Sequence, residues 1–272
     1  MFSSALIVFR EVLEASLIVT IIMAATRGVM HRGYWVSLGI AGGVAGAGIV
    51  AACTTYLATL FDGAGQDVVN ASILFLAVCL IGWHTVWMNS HGRQIASQMR
   101  SVGRSISDGE KHMSVLAIVV GLAVMREGSE VVLMLQGLWA GSEGVETVIG
   151  GGLLGLAGGV VVSVLMYLGF LALPLGRVFS VTNVILVLIA AGMAARGANF
   201  LVQAGLVPAF GTHLWDSSRL ISEQSPLGQV LAALAGYIAR PSGIEVLFYA
   251  ATILCVIGLM RMARPRLAAA QQ

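Results

Sequence analysis

Charge is what this sequence has least of. Only 10% of its 272 residues are Asp, Glu, Lys or Arg, whereas 58% are hydrophobic. A soluble globular protein carries about a quarter charged residues, so this composition excludes that class and indicates an integral membrane protein. The net charge of +2 is uninformative by itself, because in a membrane protein the distribution of charge among the loops carries the information.

Cysteine is scarce, and a leader signature is missing. Cys53, Cys79 and Cys255 lie in separate apolar runs. They offer neither a disulfide framework nor a thiolate metal motif, and we expect all three to be buried spacers. The N-terminus has no basic segment, and charges from residue 10 to residue 14 interrupt its apolar run. We therefore expect a retained first span rather than a signal peptide.

Long apolar runs, by contrast, are abundant. Stretches of about twenty such residues predict seven transmembrane helices, at residues 4–26, 35–61, 67–89, 113–139, 146–173, 179–204 and 244–263. Helices are expected because lipid cannot satisfy an open strand edge. The sequence therefore predicts an all-α integral membrane protein, with a single transmembrane domain over residues 1–272.

Basic residues orient the predicted spans. The loops after spans one, three and five and the C-terminal tail hold Arg27, Arg32, Arg93, Arg100, Arg104, Lys111, Arg177, Arg261, Arg264 and Arg266. The opposite loops hold only two basic residues, together with seven acidic ones: Arg219, Arg240, Asp62, Asp67, Glu143, Glu146, Asp216, Glu223 and Glu245. The positive-inside rule then predicts an outside N-terminus and a cytoplasmic C-terminus.

Two of the few charged stretches inside spans have the same pattern. Residues 10–14 read "REVLE" and residues 126–130 read "REGSE", so R-E-x-x-E occurs in span one and again in span four. On a helix, the arginine and the second glutamate of each motif lie on one face, a turn apart. Six charges facing lipid would cost about 15 kcal/mol or more, so they must face each other or a wet cavity.

The motifs belong to an internal repeat whose two copies have opposite orientations in the membrane. Spans one to three (about 1–90) and four to six (about 113–205) enter the membrane from opposite sides, and span seven (about 244–263) is additional. The second helix of each triplet is glycine-rich, with "GIAGGVAGAG" in span two and "GGGLLGLAGG" in span five. Inverted repeats of this kind place a substrate site near the bilayer midplane.

The motifs hold more carboxylates than guanidiniums, with a formal surplus of two negative charges from Glu11, Glu14, Glu127 and Glu130 against Arg10 and Arg126. A purely structural ion-pair network would need equal numbers. The surplus calls for protons or a cation, and oxygen ligands suit hard ions such as ferric iron, calcium, magnesium or manganese. An intramembrane di-iron enzyme is the main rival, but such centres use Glu-x-x-His, which neither motif contains.

These paired motifs, in seven spans with an outside N-terminus, closely resemble the oxidase-dependent iron permeases, the iron/lead transporter family. The resemblance continues through the basic loop at 91–112, through "AAGMAARGANFLVQAGL" in span six and through "GYIARPSGIEV" before span seven. It implies a bacterial high-affinity iron permease of the inner membrane, which is not an enzyme. Iron is its transported substrate, with no permanently bound cofactor. The implied iron ligands are Glu11, Glu14, Glu127 and Glu130, with Arg10 and Arg126 assisting.

The resemblance also implies partners. Family members usually receive iron from a protein that oxidises ferrous to ferric ion: a multicopper oxidase in fungi, or periplasmic cupredoxin-like or peroxidase-like proteins in bacteria. Ser129 departs from the usual R-E-G-L-E of the fourth span, which changes a spacer and leaves the implied ligands intact. The acidic motif of fungal members in the last external loop has no match here.

Several residues have two open interpretations. His84 could be an exit ligand or proton acceptor, or a hydrogen-bonded structural residue. Arg196 and Asn199 could line the path or pair with a glutamate, or could serve helix packing. Glu143 and Glu146 could collect cations at the mouth, or could complement a helix dipole. An iron-binding oxidoreductase subunit and a channel for lead or manganese remain the alternative functions.

Overall fold

The computed structural model describes residues 1–60, 65–141, 144–168, 175–211 and 213–269, so that Asp62 and Glu143 lie outside the described residues. Within these ranges the chain forms eight helices and no strand, which confirms the all-α class. They are α1 (Phe2–Ala25), α2 (Arg32–Leu60), α3 (Gln66–Ser107), α4 (Ser114–Ala140), α5 (Val145–Tyr167), α6 (Leu175–Gln203), α7 (Pro226–Ala235) and α8 (Gly243–Ala269).

Five of the described helices, α2, α3, α5, α6 and α8, are long and apolar enough to cross a membrane. The two that carry the R-E-x-x-E motifs, α1 and α4, have 24 and 27 residues. At 1.5 Å per residue they are roughly 36 and 40 Å long, which exceeds a hydrocarbon core of about 30 Å.

The helices differ from the sequence-based expectation in the length of α3 and in the presence of α7. The basic stretch at 91–112, expected as a loop, is helical up to Ser107 because α3 continues far beyond its apolar part. Helix α7 was not predicted, since ten residues are too few to cross a bilayer. Its ends carry standard signals: the Ser225 hydroxyl accepts from the Gly228 N–H at 3.0 Å, and Gly236 ends the helix in the left-handed conformation, with φ +65°.

Two apolar clusters enclose the middle of the bundle. One joins α1, α3, α4, α5 and α6 and includes Ile7 and Met134. The other joins α1, α2, α3 and α4 and includes Ile22 and Val120. Both R-E-x-x-E motifs fall between the two clusters along their helices, so the charges are enclosed by apolar packing on both sides.

Glycines allow α2 to approach α4 closely. A Cβ added at Gly39 would lie 2.6 Å from the carbonyl oxygen of Ala117, and one at Gly43 would lie 2.7 Å from that of Gly121. Real Cβ atoms do not come this close to backbone, so the contact requires glycine. Such small-residue seams are typical of helix pairs in lipid.

A second seam joins α5 to α1. A Cβ at Gly151 would collide with the carbonyl oxygen of Met1, and one at Gly155 with that of Ala5. The second helix of each predicted triplet therefore packs along the first helix of the other triplet, through glycines on one side and carbonyls on the other.

The cysteines are not buried as expected. Cys53, Cys79 and Cys255 are all exposed on the bundle. A surface that faces lipid is as apolar as a protein interior, so an apolar run in the sequence does not distinguish the two locations.

Candidate functional site

Side chains from three helices converge at the middle of the bundle. Glu11 of α1, His84 of α3, and Glu127 and Glu130 of α4 each offer a ligand atom, and these atoms all lie within 4.8 Å of one another. Carboxylate oxygens and imidazole nitrogens bind metal ions at about 2.0–2.2 Å, so ligands on opposite sides of one ion are about 4.0–4.4 Å apart. The four atoms are close to the spacing that a single ion requires.

In the α1 motif the arginine pairs with both glutamates, and the motif is almost completely buried. The Arg10 guanidinium bridges both glutamates of its own helix, with Nη1 2.8 Å from Glu11 Oε1 and Nη2 2.7 Å from Glu14 Oε1. All three side chains are at most a few per cent exposed. One positive charge thus orients one oxygen of each carboxylate through charge-assisted hydrogen bonds.

The α4 motif is more open. Arg126 Nε donates to Glu130 Oε1 at 3.0 Å but is 4.0 Å from Glu127 Oε1. The guanidinium carbon of Arg126 lies 4.0 Å from the ring centroid of Trp87 on α3. Of these side chains, Arg126 is 39% exposed and Glu130 21%, whereas Glu127 is buried.

His84 connects the two motifs. Its Nε2 atom is 3.7 Å from Glu11 Oε2 and 3.5 Å from Glu14 Oε2, and its Nδ1 atom lies directly against Glu130 Oε2. A single buried imidazole therefore faces carboxylates from both α1 and α4. The sequence left its role open, and the fold places it at the centre of the cluster.

Several carboxylate oxygens in this cluster have no hydrogen-bond partner among the described residues. The Oε2 atoms of Glu11, Glu14 and Glu127 are buried and have no hydrogen-bond partner among the described residues. Burying an unpaired carboxylate oxygen is costly. A cation held among these oxygens would remove that cost, which makes the donor set suitable for a hard ion.

Apart from His84, the described residues with two open interpretations lie outside the cluster. Arg196 Nη1 donates to the Gly141 carbonyl at the end of α4, at 2.9 Å, which fits the packing interpretation. Pairing with a glutamate was one of the two interpretations of Asn199. Its Nδ2 donates to Glu245 Oε1 at 2.6 Å, and this glutamate lies outside both R-E-x-x-E motifs. Glu146 is exposed in the first turn of α5, where it complements the helix dipole. Glu143 lies outside the described residues.

Glu245 lies beside a cavity of about 690 Å³ between the end of α6 and the start of α8. Its second oxygen accepts from the N–H and the hydroxyl of Ser242, at 2.7 and 2.9 Å. The bond from the Ser242 N–H to Glu245 is one of the two hydrogen bonds of a capping box at the start of α8. Because both oxygens of Glu245 are occupied, this carboxylate serves local structure.

In the segment between α6 and α8, the ionised form of the Asp216 carboxyl group is strongly stabilised. Hydrogen bonds from the Ser218 hydroxyl and N–H, together with Arg240, lower the pKa of Asp216 to about 2. Arg240 Nε lies 3.0 Å from the Asp216 carboxylate. Asp216 is therefore ionised throughout the physiological range.

Trp87 was missed by the sequence-based reasoning. It follows His84 by three residues and precedes His91 by four, so all three lie on one face of α3. The His91 ring stacks on the Trp87 indole, with centroids 5.3 Å apart. Two histidines and a tryptophan at helical spacing, in a chain with so few polar side chains, are the signal that could have indicated it.

Buried charges at the centre of an apolar helical bundle define a multi-pass membrane protein with a polar site inside it. The chain belongs to the Iron permease FTR1 family, whose model matches residues 1–268. The resemblance seen in the sequence is thereby confirmed, as is the expectation of a transporter rather than an enzyme.

Curated relatives match along most of the chain. The ferrous iron permease EfeU of Escherichia coli O6:H1 is 31% identical over 251 residues, which cover 90% of each chain. The ferrous iron permease EfeU of Yersinia pestis is 29% identical over 253 residues, 92% of this chain and 89% of its own. A protein of Escherichia coli K12 described as a putative inactive ferrous iron permease EfeU is 32% identical over 252 residues, 90% of each chain. No solved structure matches the chain significantly.

Proposed function

We propose that this protein imports iron across the inner membrane and that the ion is bound between the two R-E-x-x-E motifs. The observation that carries the proposal is the convergence of Glu11, Glu127, Glu130 and His84 within 4.8 Å. Glu14 completes the set as a carboxylate beside His84, at 3.5 Å. The names of the relatives support iron as the ion.

The proposed topology has seven crossings, by α1 to α6 and α8, with the N-terminus outside. Helices α1 and α4 are included because their charged side chains pair within each helix and lie against His84 of α3, rather than facing lipid. The ten basic residues on one predicted side of the apolar spans, against two on the other side, support the orientation. Helix α7 is too short to cross.

The proposed inverted repeat relates α1–α3 to α4–α6. Gly39 of α2 meets the Ala117 carbonyl in the way that Gly151 of α5 meets the Met1 carbonyl. The Gly43–Gly121 and Gly155–Ala5 contacts correspond in the same manner. In both cases the carbonyl-bearing residues are 116 positions apart, and so are the arginines that open the two motifs: Met1 and Ala117, Ala5 and Gly121, Arg10 and Arg126.

The mechanism that we propose has three steps. Iron reaches the site from outside, the four glutamates and His84 bind it, and the two repeats rearrange to release it to the cytoplasm. The arginines orient the carboxylates and limit the negative charge of the empty site. The net charge of the site changes from minus two to plus one when ferric ion binds. An uncompensated positive charge inside the membrane is costly, which favours release of the ion.

We further propose that the ion is handed over in the ferric form by an external partner that oxidises ferrous iron. The resemblance to oxidase-dependent permeases supports a cupredoxin-like, peroxidase-like or multicopper oxidase partner in the periplasm. The relatives are named ferrous iron permeases, so ferrous iron is the alternative form, and the uptake experiment compares it directly with ferric iron.

The experiment is iron uptake by purified protein in liposomes, with radioactive ferrous and ferric iron offered separately. Wild type is compared with Glu14→Ala/Glu130→Ala and with Glu146→Ala, which changes an exposed glutamate outside the cluster. We expect uptake by wild type and by the Glu146 variant, and loss of uptake in the double variant. Equal uptake by all three would refute the site. Tight binding of iron without flux would mean either that the delivering partner is obligatory or that the oxidoreductase alternative is right.

A further inference from the structure

The two R-E-x-x-E motifs have the same sequence pattern but different ion pairing. Arg10 approaches both of its glutamates to 2.7–2.8 Å. Arg126 approaches only Glu130 closely, and its Nε atom is 4.0 Å from Glu127. Since the helical spacing is identical, the difference must come from a neighbouring element.

That element is α3, through Trp87. The Arg126 guanidinium carbon is 4.0 Å from the centroid of the Trp87 ring, well within the range of a cation–π interaction. The indole is in turn stacked by His91, one turn further along the same helix. The described contacts of Arg10 include no such aromatic partner, and its charge is satisfied by the two carboxylates alone.

We propose that Trp87 is a positioning residue that holds the Arg126 guanidinium away from Glu127 and so keeps that carboxylate available to iron. Glu127 is buried, and its Oε2 atom has no hydrogen-bond partner among the described residues. If Arg126 bridged both glutamates as Arg10 does, a guanidinium would engage one oxygen of every glutamate in the two motifs. In the observed arrangement Glu127 has no guanidinium at hydrogen-bond distance, because Arg126 Nε is 4.0 Å away. The proposal rests on the iron site proposed above.

The test compares three variants at or near this position. Trp87→Leu keeps an apolar side chain but removes the aromatic face, whereas Trp87→Phe keeps a face. Trp83→Leu is the matched control, because Trp83 lies on the same helix beside His84 and is 72% exposed. Radioactive iron is measured both for equilibrium binding to the purified protein and for the concentration dependence of uptake by liposomes.

We expect Trp87→Leu to weaken iron binding and raise the half-saturating concentration by about five- to tenfold, with little change in maximal uptake. Trp87→Phe should recover most of the affinity, and Trp83→Leu should resemble wild type. Wild-type affinity in Trp87→Leu, or equal damage by the Leu and Phe variants, would overturn the proposal.

A double-variant cycle tests whether Trp87 acts through Arg126. In an Arg126→Gln background there is no guanidinium to hold, so Trp87→Leu should cause no further loss of affinity. An unchanged five- to tenfold loss in that background would mean that the tryptophan acts by packing alone and would overturn the proposal. Failure of the iron site itself is recognised separately, since Glu14→Ala/Glu130→Ala would then bind and transport iron like wild type.

Discussion

Arg10 and Arg126 open identical motifs, yet the first is 1% exposed and the second 39%. The buried arginine is enclosed with two carboxylates, whereas the other lies between one carboxylate and an indole. The proposed repeat is therefore symmetric in backbone packing but asymmetric in the ion pairing at its centre. In an alternating-access transporter such an asymmetry is expected of any single state, because only one side of the site is open at a time.

The two arginines should differ in their contribution to stability. Arg10→Gln leaves two buried carboxylates without their cation, and breaking a buried ion pair in this way costs about 3–5 kcal/mol. Arg126→Gln removes a partly exposed pair, for which about 1 kcal/mol or less is expected. Thermal unfolding of the detergent-solubilised variants measures the difference. Equal melting temperatures for the two variants would contradict the asymmetry.

His84 should contribute to iron binding directly. Replacing it with glutamine removes the only imidazole described in the cluster, and we expect iron affinity to fall by about tenfold or more, since even outer-shell partners of metal ligands are worth 10–100-fold. With manganese(II) as a paramagnetic probe, wild type should show electron spin-echo modulation from an imidazole nitrogen and His84→Gln should not. Modulation that persists in the variant would show that His84 is not a ligand.

The glycine seam between α2 and α4 should tolerate a larger side chain at Gly42 but not at Gly43. A side chain at Gly43 would meet the Gly121 carbonyl and the Val124 Cβ, both at 2.7 Å, whereas Gly42 has nothing within 4 Å. We expect Gly43→Val to separate α2 from α4 and to cost about 1–3 kcal/mol or more. Gly42→Val is the matched control and should be near neutral. The yield of folded protein and its melting temperature report both, and a reversed order would refute this packing.

Ser129 should be dispensable for transport. Its hydroxyl donates to the Met125 carbonyl of its own helix at 2.5 Å. The hydroxyl proton is therefore already used in a hydrogen bond to the backbone. Ser129→Leu restores the residue usual at this position of the family motif, and we expect iron uptake within about twofold of wild type. An uptake rate that fell as far as in Glu14→Ala/Glu130→Ala would show that the hydroxyl takes part in the site.

Much of the fold could be predicted from the sequence because the signals for its helices are local. Each main apolar run does form a helix, since hydropathy over about twenty residues is a property of the segment itself. Helix α3 shows the limit of this signal: its polar continuation to Ser107 remains helical although it is no longer apolar. Helix α7 shows the opposite limit, because its apolar stretch is too short to be distinguished from a loop.

The sequence by itself determined the membrane class and the two charged motifs, because scarce charge in an apolar helix must be buried or wet wherever that helix lies. Only the tertiary structure decided that His84 lies between the motifs and that Trp87 lies against Arg126. Both relationships join α3 to other helices, and no spacing within a single helix encodes them. The inequivalence of Arg10 and Arg126 has the same origin, since identical local geometry acquires different partners when different helices pack against it.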